Sequence, residues 1–271
     1  MNNKGFSILE LITAVSIFFF IVAAMLFMLT SGKNSWHTQD IQSALYQNAR
    51  KAMDEMTMEL SESSRNTITI YAFIDPLNGE SSEAICFASG RGDPAIAAED
   101  GIHSNNDYVH WDAGGDISWR SAVVYCTYQT ADGIKQLRRY VDYGPATNYY
   151  SGTAIFPLTI TSIATNINIL SGDGSVVSLN RNPAANMTIL ANYLGTEDVN
   201  NDSILNSNED DGEASLPWDN ADGILNTGAN FIKASGLINI QLFFKREIRA
   251  LATTGRFLIN TLKGSVQLRQ P

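Results

Sequence analysis

The sequence predicts an α+β protein, a long N-terminal transmembrane α-helix packed on a C-terminal antiparallel β-sheet domain. Three observations predict it. The 25 residues from Phe6 to Thr30 carry a single charge, Glu10; as a helix they cover roughly 37 Å at about 1.5 Å per residue, enough to cross a bilayer. Beyond them Ile41, Leu45, Ala49, Met53 beside Ala52, Met56 and Leu60 recur at three- to four-residue spacing, the period of one helix face. After Asn66 the pattern changes to short β-branched and aromatic runs separated by Gly, Asn, Asp and Ser, which is strand-and-turn chemistry.

Taken in order, the apolar run continues through IVAAMLFML without an A-x-A-like site, so the segment is expected to stay attached rather than act as a cleaved secretory signal. Lys4 is the only charged side chain ahead of it and Lys33 the first basic residue after it; the positive-inside tendency then places the N-terminus in the cytoplasm and the bulk of the chain outside. Trp36 and His37 fall at the expected membrane boundary. Residues 31–65 read as an amphipathic continuation of the helix, with Asp40, Arg50, Lys51, Asp54, Glu55 and Glu59 on its polar faces. Gly32 and the SGKNS stretch are expected to bend or loosen it, and Ser63 to Asn66 to end it.

Residues 66–271 form the β-rich globular domain. Strands are expected in TITIYAFI, EAICFAS, SAVVYCTYQ, QLRRYVDY, SVVSL, MTILANYL, LINIQLFFKREI, FLINTL and SVQLR. In LINIQLFF the residues Ile238, Ile240, Leu242 and Phe244 alternate with Leu237, Asn239 and Gln241, which predicts a strand whose apolar face packs on the helical spine.

A carboxylate inside an apolar span is costly to hold in lipid and is read as functional by default. Glu10 stands in KGFSILEL, with Lys4-Gly5 ahead of Phe6 and Glu10 four residues after it. This pattern, followed by an uninterrupted apolar helix, resembles the type IV pilin superfamily and its class III signal. The resemblance implies that residues 1–5 are a prepilin leader, that a prepilin peptidase cuts between Gly5 and Phe6, and that the new amino group of Phe6 is methylated. It implies that residues 6–30 are the assembly helix, in which Glu10 pairs with the charged N-terminus of a neighbouring subunit. Within the superfamily, NARKAMDEMTMELSES, WRSAVVYCTY followed by QLRRYV, and a last strand ending in LR are similar to PilW-like minor pilins and GspJ-like pseudopilins of type II secretion. The partners so implied are other minor and major pilins, the prepilin peptidase and an inner-membrane assembly platform. The chain would sit first in the bacterial inner membrane, with its C-terminal domain periplasmic, and later in a filament at the cell surface.

An acidic insertion over residues 197–230 stands apart. Nine carboxylates fall between residues 197 and 222, and no basic residue lies between Arg181 and Lys233. DVNNDSILNSNE fits the twelve-residue calcium loop, with Asp198, Asn200 and Asp202 at positions one, three and five, the Ile204 carbonyl at seven, Asn206 at nine and Glu209 at twelve. Hard oxygen donors at this spacing suit Ca2+. Ser203 replaces the turn glycine at position six, which lowers the expected affinity. DNADGILN repeats the middle of the loop, so Asp219, Asn220 and Asp222 would complete the site or hold a second ion. The alternative is a solvated acidic linker, and loops of this type recur in PilW-like subunits.

Other classes find little support. The net charge of -10 with no basic cluster argues against nucleic acid, whose phosphates need a basic footprint. No G-x-S-x-G, P-loop or G-x-G-x-x-G occurs, and His37, His103 and His110 have no ligand or triad spacing, so the chain is not expected to be an enzyme. Arg91-Gly92-Asp93 is read as a turn. Cys86 and Cys126 would face an oxidising compartment, where a disulfide and a pair of buried free thiols are both compatible with the sequence.

Overall fold

A computed structural model describes residues 8–75, 79–95, 108–143, 158–163, 166–172, 174–180, 186–195, 228–234, 236–250 and 253–268. The chain divides into two compact units, Met1–Ala44 with Glu247–Arg256, and Leu45–Arg246 with Phe257–Pro271. One helix, α1 (Ile8–Glu62), belongs to both.

In the first unit the apolar run of α1 is bare. Ile8, Leu9, Leu11, Phe18, Phe20 and Phe27 are all exposed, and the apolar window has a mean hydropathy of 2.7 with none of it buried. This is the one helix among the described residues long and apolar enough to cross a membrane. Its hydroxyls are satisfied internally: Thr13 Oγ1 donates to Leu9 O at 2.7 Å, Ser16 Oγ to Ile12 O at 2.8 Å and Thr30 Oγ1 to Leu26 O at 2.7 Å. Such back-bonding lets Ser and Thr enter lipid without an orphaned donor. The helix is unbroken through Gly32 and Ser35 and stops at Glu62, so the expected loosening does not interrupt it, whereas the expected end is met.

Among the described residues the second unit holds α1 from Leu45 onward, a short 3-10 turn (Arg65–Thr67) and eleven strands, the end of β10 and the start of β11 being counted with the first unit. A five-stranded sheet is ordered β1-β2-β3-β4-β8, built from β1 (Thr69–Asp75), β2 (Gly79–Ser89), β3 (Ser121–Gln129), β4 (Lys135–Tyr143) and β8 (Met187–Asn192). Its neighbours pair antiparallel throughout. A second sheet is ordered β5-β6-β7, from Thr159–Ser162, Asn166–Leu170 and Val176–Asn180. A third is ordered β11-β10-β9, from Thr253–Gln267, Leu237–Ala250 and Ala229–Ala234.

The five-stranded sheet is the middle layer, buried on both faces. One face offers Ile85, Phe87, Val123, Tyr125, Leu137 and Val141 to a core that includes Ala49, Ala52, Met53, Met56 and Leu60 of α1 together with Phe231, Ile238, Ile240, Leu242 and Phe244. The other face offers Ala84, Cys86, Ala88, Val124, Cys126 and Tyr140 to Leu158, Ile160, Ile163, Ile167 and Ile169. Two covered faces explain why SAVVYCT is apolar or small at every position, since a strand with a wet face would alternate. The helix reaches the third sheet closely at Gly264, where an added Cβ would lie 2.8 Å from Met53 Sδ.

Most expected strands are present, with FLINTL and SVQLR joined in β11. Strands β5, β6 and β9 were not expected. Of the two states the sequence left open for Cys86 and Cys126, the structure has the buried free thiols: both are unbridged and fully buried. The register gives the reason. Cys86 lies opposite Val124 and Cys126 opposite Ala84, so the two are diagonal neighbours on one face. Diagonal Cα atoms are about 7–8 Å apart, beyond the roughly 4.4–6.8 Å a disulfide spans.

Candidate functional site

The candidate features fall at three places, the apolar helix, the roots of the acidic insertion and the seam between α1 and the middle sheet. Glu10 lies in the first described turn of α1, exposed, within the bare apolar surface. Gly5 and Phe6, where cleavage and methylation are expected, lie outside the described residues.

The same holds for the calcium-loop residues Asp198, Asn200, Asp202, Ile204, Asn206 and Glu209, for Asp219, Asn220 and Asp222 of the half repeat, and for His103. The roots of the insertion are described, and they meet. Gly195 N donates to Phe243 O at 3.0 Å, and Phe243 N donates to Gly228 O at 2.9 Å. One β10 residue therefore holds the chain on both sides of residues 196–227. Gly228 has φ +82°, and a Cβ there would stand 2.0 Å from Gly195 O, so only glycine permits this approach. Ahead of the root Tyr193 takes a positive φ of 65°; Lys245 N donates to its carbonyl at 2.8 Å and the Arg246 guanidinium lies 4.6 Å from its ring centroid. Among the described residues no group of three His, Cys, Asp or Glu is placed to hold a metal.

The seam was not anticipated. Glu59, assigned by sequence to a polar face, is buried at 6 % exposure. It follows Met56 and precedes Leu60, both fully buried, and so falls at the edge of the stripe that faces the sheet. Arg139 on β4 and Tyr125 on β3 are directly opposed in register, and both reach it. Arg139 Nε lies 3.0 Å from each Glu59 oxygen and Nη2 2.8 Å from Oε1, while Tyr125 Oη donates to Oε2. Burial disfavours the charge on Arg139, but the Glu59 carboxylate outweighs it and holds the guanidinium above its usual pKa. Burial and then the Glu59 charge push the Tyr125 phenol well up, so Tyr125 stays a donor. A buried charge is tolerated only with such a partner and its hydrogen bonds.

One turn on, Glu62 meets Arg91 through a fork, Nε to Oε2 at 2.7 Å and Nη2 to Oε1 at 2.6 Å. The hydrogen bond that Arg91 donates to Glu62 raises the Arg91 pKa. Ser121 Oγ donates to the Arg91 carbonyl at 2.7 Å, and Asp93 Oδ1 accepts from Ala95 N at 2.8 Å. The expected turn falls one step later than Arg91-Gly92-Asp93, at Pro94 and Ala95, with Asp93 at its start, and the arginine is engaged within the fold. Alongside these pairs runs an open groove of about 700 Å³, lined by Lys51, Asp54, Glu55, Met58, Glu59 and Arg139 among others.

No family model, no curated protein and no solved structure matches this chain. The candidate features are therefore defined by their own chemistry: one carboxylate within the bare apolar run of α1, and, within the second unit, one buried and one partly buried ion pair between α1 and its surroundings. The pairs had a faint sequence signal, Glu59 at the spacing of the buried stripe and Arg138-Arg139 between Leu137 and Tyr140-Val141. Neither says which arginine meets which acid.

Proposed function

We propose that this protein is a minor subunit of a type IV filament system, similar to PilW-like minor pilins, that acts in assembly initiation at the filament tip. The observation that carries the reading is the junction of KGFSILEL with a helix that is wholly bare over its apolar window and continues unbroken into a sheet-packed half. Lipid covers such a surface before assembly, and helices of neighbouring subunits cover it afterwards. On this reading Gly5 and Phe6 mark the cut and the methylated amine. Glu10 then pairs with the charged N-terminus of the next subunit, so that its cost in the apolar layer is met by a partner arriving in the same place. The chemistry is assembly rather than turnover, and Ca2+ on the acidic insertion would be structural.

The test has two parts. Mass spectrometry of the mature chain is expected to find Phe6 as the first residue, carrying one methyl group; a chain that retains Met1–Gly5 overturns the reading. Glu10→Ala is expected to reduce surface filaments by about tenfold or more while the protein stays in the membrane, and filaments at the normal count would overturn the role of Glu10. A GspJ-like pseudopilin shares every feature named and differs in the system it serves. Deleting the gene separates them: lost pili with normal secretion supports the minor-pilin reading, and lost secretion with normal pili the pseudopilin. A calcium-dependent tip adhesin would instead leave assembly normal and lose surface attachment when calcium is removed.

A further inference from the structure

The third sheet ends on an open strand. Among the described residues β11 has β10 on one side and no strand on the other, although its 15 residues make it the longest strand described. Leu268 N donates to Gly236 O, and Lys263, Gly264 and Ser265 lie beside Gln241, Ile240 and Asn239, as that pairing requires. Backbone groups along a strand point alternately to its two sides. The even residues of β11 therefore bond to β10, whereas Thr261, Lys263 and Ser265 aim their N–H and C=O groups away from the sheet. Side chains alternate with the same period: Val266 and Leu268 are buried, while Ile259, Lys263, Ser265 and Gln267 are exposed. An open row of donors and acceptors is a template for another strand, and proteins usually guard such an edge with charge or proline. From Phe257 to Leu262 β11 has neither, and Ile259 is 40% exposed.

Charge selects what pairs there. In a chain of net charge -10, the residues after Glu247 include Arg249, Arg256, Lys263 and Arg269 and not one Asp or Glu. Two copies of β11 side by side would set cation against cation, which is unfavourable across a strand pair, whereas a carboxylate opposite Lys263 is favourable. We propose that β11 is the docking edge for an extended, acidic segment of a different filament subunit, which joins the sheet as a fourth strand with a carboxylate against Lys263. The inference rests on the filament reading and adds to it a backbone contact in the globular domain, separate from Glu10.

The experiment uses the full chain in membranes and in sheared filaments. Amide hydrogen exchange, read by mass spectrometry on a peptide spanning residues 257–267, is expected to slow about tenfold or more at the outward amides on assembly; unchanged exchange overturns strand addition. In wild-type filaments, zero-length carbodiimide coupling is expected to join Lys263 to an Asp or Glu of another subunit. Coupling only to acids of this same chain, or none, overturns the acidic partner. Recovery in sheared filaments is expected to fall about two- to fivefold for Lys263→Gln, the worth of one cross-strand charge pair, and further for Lys263→Glu. Both variants are expected to melt like wild type in detergent, because Lys263 is exposed. Wild-type recovery of both, with Glu10→Ala lost, overturns the docking edge and leaves the filament reading standing. Wild-type recovery of Glu10→Ala overturns that reading instead.

Discussion

Cys86 and Cys126 show how a single residue's neighbours decide its chemistry. Both thiols sit on one face of the β2–β3 pair, fully buried and diagonal to each other. Burial pushes the Cys86 thiol up to about 12 from an ordinary value of 9.0, so it is neither a nucleophile nor an easily oxidised group. In the full chain held in detergent, a thiol reagent is expected to react with neither cysteine until the protein is unfolded, and then with both. Finding no free thiol after unfolding without reductant would show that the strands shift to form a disulfide. The same shift has a pH consequence. Because the folded pKa is raised, the folded state keeps a proton that the unfolded thiol gives up. The contribution is intact below about pH 9 and is lost as pH rises towards 12, with a slope approaching 1.4 kcal/mol per pH unit at about that limit. Melting curves between those pH values should therefore fall less steeply for Cys86→Ala than for wild type, and equal slopes would contradict the assigned shift.

At the scale of elements, the seam between α1 and the middle sheet combines apolar packing with two ion pairs, and it is the pairs that fix the rotation of the helix. Glu59→Gln leaves the Arg139 guanidinium in place with no counter-charge. Breaking one side of a buried pair costs about 3–5 kcal/mol, which for a domain of this size is a fall in melting temperature of roughly 10 °C. Calorimetry of the variant checks this, and a change of only a degree or two would mean that packing alone docks the helix. The helix itself was legible: every apolar position expected to face inward, from Ile41 to Leu60, is buried, because a 3.6-residue period leaves a mark in sequence. So was β10, whose Ile238, Ile240, Leu242 and Phe244 are all fully buried. Strands β5, β6 and β9 escaped notice because TITS, NINIL and ANFIKA are only four to six residues long; NINIL does alternate, with Ile167 and Ile169 buried, but over too few residues to stand out. The ionic seam escaped for a related reason. Glu59 and Arg139 are 80 positions apart, and nothing local in either segment states that they meet.

At the scale of the whole molecule, the sequence concentrates negative charge in one insertion and the structure brings that insertion's two ends together. Gly195 and Gly228 are both held by Phe243, so closing the loop does not depend on whatever lies within it. What the roots leave unsolved is electrostatic: nine carboxylates over residues 197–222 with no basic residue among them repel one another at neutral pH. Oxygen donors at calcium-loop spacing answer that repulsion with a divalent ion, and an ion that binds the folded form alone stabilises it by mass action, about 2.7 kcal/mol at a hundredfold excess over the dissociation constant. The calcium reading thus predicts that the full chain in detergent melts several degrees higher in millimolar Ca2+ than in a chelator. It predicts that Mg2+ does not substitute, since the loop supplies more ligands than a small octahedral ion accepts, and that Asp202→Ala and Glu209→Ala each remove most of the calcium effect without lowering the melting temperature in chelator. A solvated acidic linker predicts the opposite pattern: a small, salt-like response that Na+ reproduces at equal ionic strength and that falls only slightly when one of the nine carboxylates is removed. The two differ in ion selectivity and in their dependence on single residues, so one set of melts on three proteins decides between a loop stapled by an ion and a loop held only at its glycine roots.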